Sequence, residues 1–133
     1  LEHDHQLMPQ CRRRADGCAA LLALLAARRT AYVPTHVASS AQDVRLGTNP
    51  AGEERALAHA TGPVALAWRL YRLLHRAGRD ATAARRQRAT LAKALRLTSA
   101  AHRAGVPVLA GTDALDPFVL HGESLNDELT LLH

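Results

Sequence analysis

Aromatic side chains are scarce in this 133-residue chain: one Trp, two Tyr and one Phe make up 3% of it. That shortage removes the stacking platforms on which single-strand nucleic-acid binders lay their bases. Cysteine is limited to Cys11 and Cys18, which form neither a disulfide framework nor the paired CxxC of a structural zinc site. Both thiols therefore read as inert, and a reducing compartment, the cytoplasm, is favoured. Long apolar runs are missing too. The stretch from Cys18 ends where Arg28 and Arg29 follow Ala27, well short of the roughly 20 residues that cross a bilayer, so no membrane partner is expected. Acidic residues are the minority, 12 against 17 Lys and Arg, for a net charge of +5. Such an excess suits a polyanion only if the cations gather on one exposed face. No internal repeat stands out. The chain opens at Leu1 and its one methionine is Met8, so a longer reading frame is expected, with any signal peptide out of view.

Alanine, leucine and arginine dominate what is present, hydrophobic residues reach 47%, and that mixture favours helices. The length is that of one small domain able to bury a modest core. Ala19 to Ala27 reads as a buried helix whose C-terminal end suits the two arginines that follow. Thr30 to Pro34 is short and β-favouring, and reads as a buried strand. Thr35 to Pro50 is rich in small polar residues and reads as a long loop with at most one turn. A helix from Glu53 to Thr61 stops at Gly62-Pro63. Pro63 suits the first turn of another that reaches Ala77 before Gly78. That second helix carries Arg69, Arg72 and Arg76 as a polar stripe, with Trp68 and Tyr71 turned to the core.

From Thr82 to Ala104, helical spacing puts Leu91, Ala94, Leu95, Thr98, Ala101 and His102 on one arc, with Arg85, Arg86, Lys93, Arg96 and Arg103 opposite. Gly105 stops this helix, and Val106 to Ala110 reads as a second buried strand. The loop from Gly111 to Gly122 leads to a last helix opening at Ser124, whose hydroxyl can cap it while Asp127 answers three residues on.

Asp113 lies just past the end of the second strand, the edge where parallel α/β folds keep their reactive groups. The plainer alternative is a turn-capping aspartate. His3 and His5 are two apart, so on a strand both imidazoles would share a face and could ligate a divalent metal. Their plainer alternative is a solvated terminus.

Three stretches, Leu1-Glu2-His3, LALLAARRTAYVPT from Leu22 to Thr35, and AHRAGVPVLAGTDALDPFVLHGESLNDELTLL from Ala101 to Leu132, together resemble the metal-dependent amidohydrolase superfamily. The closest likeness is to its imidazolonepropionase-like and dipeptidase-like branch. The resemblance implies an α/β fold: the C-terminal part of a (β/α)8 TIM barrel, strands six to eight with their helices, truncated at both ends. Residues 1–133 would then be one partial catalytic domain. Carried over position by position, Asp113 is the strand-eight aspartate that binds metal and shuttles a proton. His3 is the strand-six histidine of the metal centre, and His5 has no assured counterpart. Reading His3-Asp4-His5 as the family's strand-one pair fails on strand count, since one convincing strand separates it from Asp113. The chain departs from the family at Asp4, Arg29 and Asn126, and His36 stands where an apolar residue is commoner. The metal ligands are untouched by these departures.

What the resemblance implies functionally is hydrolysis of a C–N bond in an amide, cyclic amide or dipeptide. The agent would be a water activated by a divalent metal, zinc suiting imidazole and carboxylate donors best. A complete barrel takes about 250 residues, so the chain by itself would lack ligands, leave sheet edges open, bind metal weakly and be inactive. The partner is then a small-molecule amide or peptide, with no nucleic acid. The competing reading is a basic helical module for nucleic acid or for another protein, although a solvated outer helix face explains the arginines better. Ser124, Asp127 and Glu128 read as helix-start residues. His59, His75, His102 and His121 carry no assigned role, and of these His121, in the loop after Asp113, is the one expected nearest to substrate.

Overall fold

Helix formers decide most of the architecture. The computed structural model describes residues 1–13, 18–41, 49–74, 81–114 and 116–133, the side chains of Asp4 and Ala81 excepted. Seven helices are found among them: α1 (Asp4–Arg12), α2 (Ala19–Ala27), α3 (His36–Ser40), α4 (Pro50–His59), α5 (Gly62–Leu74), α6 (Ala81–Arg103) and α7 (Glu123–Leu132). His75, Arg76, the expected stop at Gly78 and residues 42–48 of the expected loop lie outside the described residues.

Among the described residues, three short extended segments pair with one another. Glu2 bridges Val33 and Tyr32 bridges Val108, both in parallel. Val33 N donates to Leu1 O and His3 N to Val33 O, each at 2.9 Å; Tyr32 N donates to Pro107 O at 2.8 Å and Leu109 N to Tyr32 O at 2.9 Å. The segment around Tyr32 and Val33 is thus the middle one of three. The bridges are isolated, and no sheet forms among the described residues. This overturns the expectation of a partial (β/α)8 barrel: the domain is mostly helical. Pro34 and Pro107 flank the paired residues and lack the N–H that a longer ladder needs, while the Ala-, Leu- and Arg-rich remainder satisfies its backbone within helices. Open barrel edges, one of the two grounds for expecting an inactive chain, fall away with the barrel.

Among the described residues, three apolar clusters hold the helices together. Leu7 of α1, Cys18, Leu22 of α2, Tyr32, Ala101 of α6 and Val106 form the first. Val37, Ala38 and Ala41 pack with Val119 in the second. Ala56 of α4, Trp68 of α5 and Phe118 form the third. There the Trp68 and Phe118 ring centroids lie 5.2 Å apart, and Tyr71 meets Phe118 edge-on. The opposite face of α5 leaves Leu66, Leu70, Leu73 and Leu74 between 51% and 71% exposed.

Local signals explain the ends of several elements. The Asn49 side chain accepts from Gly52 N at 2.9 Å and Pro50 occupies the first turn, so α4 starts earlier than expected. Gly105 leaves α6 with a φ of 85°, a conformation that suits glycine. Cys11 and Cys18 are joined by a disulfide between the end of α1 and the start of α2. That corrects the reading of two inert thiols and removes its argument for a reducing compartment. Among the described residues no helix is long and apolar enough to cross a membrane.

Candidate functional site

Because the three extended segments run in parallel, their C-terminal ends fall together. The chain leaves each through a non-glycine residue in the left-handed region: His3 (φ 62°), Thr35 (φ 54°) and Asp113 (φ 54°). Such residues cost of order 1–3 kcal/mol each and gather where a site is being shaped. Thr35 is the most demanding of the three, because its branched Cβ disfavours positive φ. On the third segment, a Cβ at Gly111 would run into the Val33 side chain. The missing side chain therefore lets the backbone pass close over the middle segment on its way to Asp113. Asp116 N donates to Asp113 O at 3.1 Å and tightens the turn beyond.

His3 and Asp113, from opposite ends of the sequence, are brought together: His3 Nδ1 lies 3.9 Å from Asp113 Oδ2, with the side chains 24% and 51% exposed. The same nitrogen is 3.0 Å from Thr35 Oγ1, and Thr35 Oγ1 donates to Pro34 O at 2.7 Å. His5, in the first turn of α1, stacks its ring on His3 with centroids 5.0 Å apart and planes 12° from parallel. His3, His5, Thr35, Ser39, Asp113 and Asp116 line an open cleft of about 160 Å³.

The other residues singled out from sequence go elsewhere. His36 is fully buried, its Nε2 2.8 Å from Thr98 Oγ1. His102 keeps its place beside Leu95 and Thr98 on α6 but is exposed. His121 is exposed, and His59 pairs with Glu123 at 2.5 Å. The expected cap of α7 is absent. Ser124 Oγ accepts from Leu120 N at 2.8 Å, and Asp127 pairs with Arg55 at 2.8 Å.

Glu128 is the departure with most consequence. It is fully buried, and its carboxylate accepts from Val37 N at 2.7 Å, tying α7 to the start of α3. The sequence points the other way: along α7, Ser124 and Glu128 share an i, i+4 row and are buried, while the apolar Leu125 and Leu129 are exposed.

The donor set does not fit the metal centre that the resemblance implies. Imidazole and carboxylate suit a divalent cation chemically, but a catalytic zinc needs about three protein ligands besides water. Among the described residues no group of three His, Cys, Asp or Glu side chains is placed to hold a metal. No protein-family model, curated protein or solved structure matches the chain.

Proposed function

We propose that the chain is a hydrolase of C–N bonds, in an amide, cyclic amide or dipeptide, with Asp113 as the group that moves protons. The observation that carries this reading is the meeting of His3 and Asp113 at 3.9 Å, in a cleft at the joined ends of parallel segments. The likeness of residues 101–132 to the amidohydrolase segment containing Gly-Thr-Asp supports it. A half-exposed carboxylate can take a proton from water as the water oxygen attacks the carbonyl carbon, then pass that proton to the nitrogen as the C–N bond breaks. His3, oriented by Thr35, would hold the substrate or the attacking water. A divalent cation would supply a polarised carbonyl and a more acidic water. With two donors in place no step is assigned to it, and metal affinity is expected to be weak.

The test is amine release from a panel of amides, cyclic amides and dipeptides, with and without added zinc, for the wild-type chain and Asp113→Asn. Turnover is expected, falling about 100-fold or more in Asp113→Asn with an unchanged circular dichroism spectrum. Absence of turnover across the panel, or full retention by the variant, overturns the proposal. A second reading has one observation in its favour: Arg85, Arg86, Lys93, Arg96 and Arg103 of α6 are all exposed, as a polyanion-binding helix would require.

A further inference from the structure

We infer that Thr35 is a positioning residue that fixes the proton of neutral His3 on Nδ1 and so leaves Nε2 as the nitrogen with a lone pair. A threonine hydroxyl has one proton to give. Thr35 Oγ1 donates it to Pro34 O at 2.7 Å, in buried surroundings. The same oxygen meets His3 Nδ1 at 3.0 Å and can do so only as an acceptor, which requires a hydrogen on Nδ1. Asp113 Oδ2, 3.9 Å from that nitrogen, places negative charge on the same side and favours the same form. The hydrogen bond made by one ring nitrogen decides what the other can do.

The backbone supports this assignment. Thr35 is buried and sits in the left-handed region at φ 54°, ψ 45°, where a branched side chain is an outlier. His3 also has a positive φ. Two uncommon conformations on neighbouring segments are thus held so that one hydroxyl meets one imidazole. Serine could reproduce both hydrogen bonds, whereas valine keeps the shape and makes neither.

What Nε2 then does rests on the hydrolytic reading: it accepts a hydrogen from the substrate or from the attacking water. Nε2–H would block both.

The tautomer is read without substrate, from imidazole ¹⁵N shifts in long-range ¹H–¹⁵N correlation spectra of the whole chain at a pH where His3 is neutral. The signal is assigned by its loss in His3→Gln. The expected wild-type pattern is a protonated Nδ1 and an unprotonated Nε2, retained in Thr35→Ser and shifted towards Nε2–H in Thr35→Val. A wild-type His3 in the Nε2–H form overturns the inference, so it stays testable even if Thr35→Val fails to fold. An unchanged pattern in a folded Thr35→Val overturns it too. Failure here is separable from failure of the proposed function. The Nδ1–H pattern without turnover sinks only the hydrolytic reading, and turnover with a wild-type Nε2–H pattern sinks only the role of Thr35.

Discussion

Glu128 shows how a single carboxylate can join two elements that are far apart in sequence. Its acceptor oxygen meets Val37 N from 91 positions away, and the residue is inaccessible to solvent. Removing the side chain strips a buried N–H of its partner, and a buried donor left unsatisfied costs about 1–3 kcal/mol. Glu128→Ala is therefore expected to lose about 1–3 kcal/mol in urea unfolding, and Glu128→Gln, which keeps an acceptor oxygen, less. Equal midpoints for Glu128→Ala and wild type would show the contact to be dispensable. The sequence places Glu128 among helix-start residues, since acidic side chains are rarely buried, and the row that buries it becomes visible only once α3 is known to need a donor satisfied. Asp113 stands out in the sequence for the opposite reason. Its place after an apolar extended run marks it whatever the packing, whereas the part played by Thr35 depends on two hydrogen bonds that no spacing encodes.

At the scale of elements, α6 was legible almost to the residue, Thr82 to Ala104 expected against Ala81–Arg103 found. Its buried Ala94, Thr98 and Ala101 follow helical spacing, and Gly105 ends it. By contrast α3, spelled His-Val-Ala-Ser-Ser, is made of residues that also suit a loop, and tertiary contacts decide it. The strand expectations failed as a sheet because two prolines flank runs only a few residues long. What survives of them is the crossing of Gly111 over Val33, and it can be tested. A methyl at Gly111 meets a branched and therefore stiff valine, and overpacking of this kind costs about 1–3 kcal/mol. Gly111→Ala is expected to lower stability by that amount and to reduce turnover by displacing Asp113. Adding Val33→Ala should restore part of the loss. Gly62→Ala, where an added Cβ meets nothing within 4 Å, is the control and should leave the site unaffected. If the two glycine variants behaved alike, the close crossing would not be what shapes the site.

For the molecule as a whole, the net charge of +5 admits two interpretations that the salt dependence of binding separates. α6 is 23 residues long, roughly 35 Å at 1.5 Å per residue, and carries five of its exposed cations on one arc. If that arc tracked a duplex through all five, the logarithm of affinity would fall with the logarithm of salt at a slope near −4.5. That is a loss of about 500-fold between 50 and 200 mM. If the arc is only the solvated face of an amphipathic helix, the same charges have no phosphate register to match, and whatever binding low salt allows is gone at physiological ionic strength. The second outcome is expected, because Ala94, Thr98 and Ala101 on the inner arc of α6 are buried, as an amphipathic helix requires, and four aromatic residues in the chain leave little for bases to stack on. Charge reversal at Arg85 and Arg96, both exposed, should accordingly leave the unfolding midpoint and amide turnover within error of wild type. Micromolar duplex binding at 150 mM salt that this double variant abolishes would instead make α6 the working surface and reduce the His3–Asp113 cleft to a structural feature.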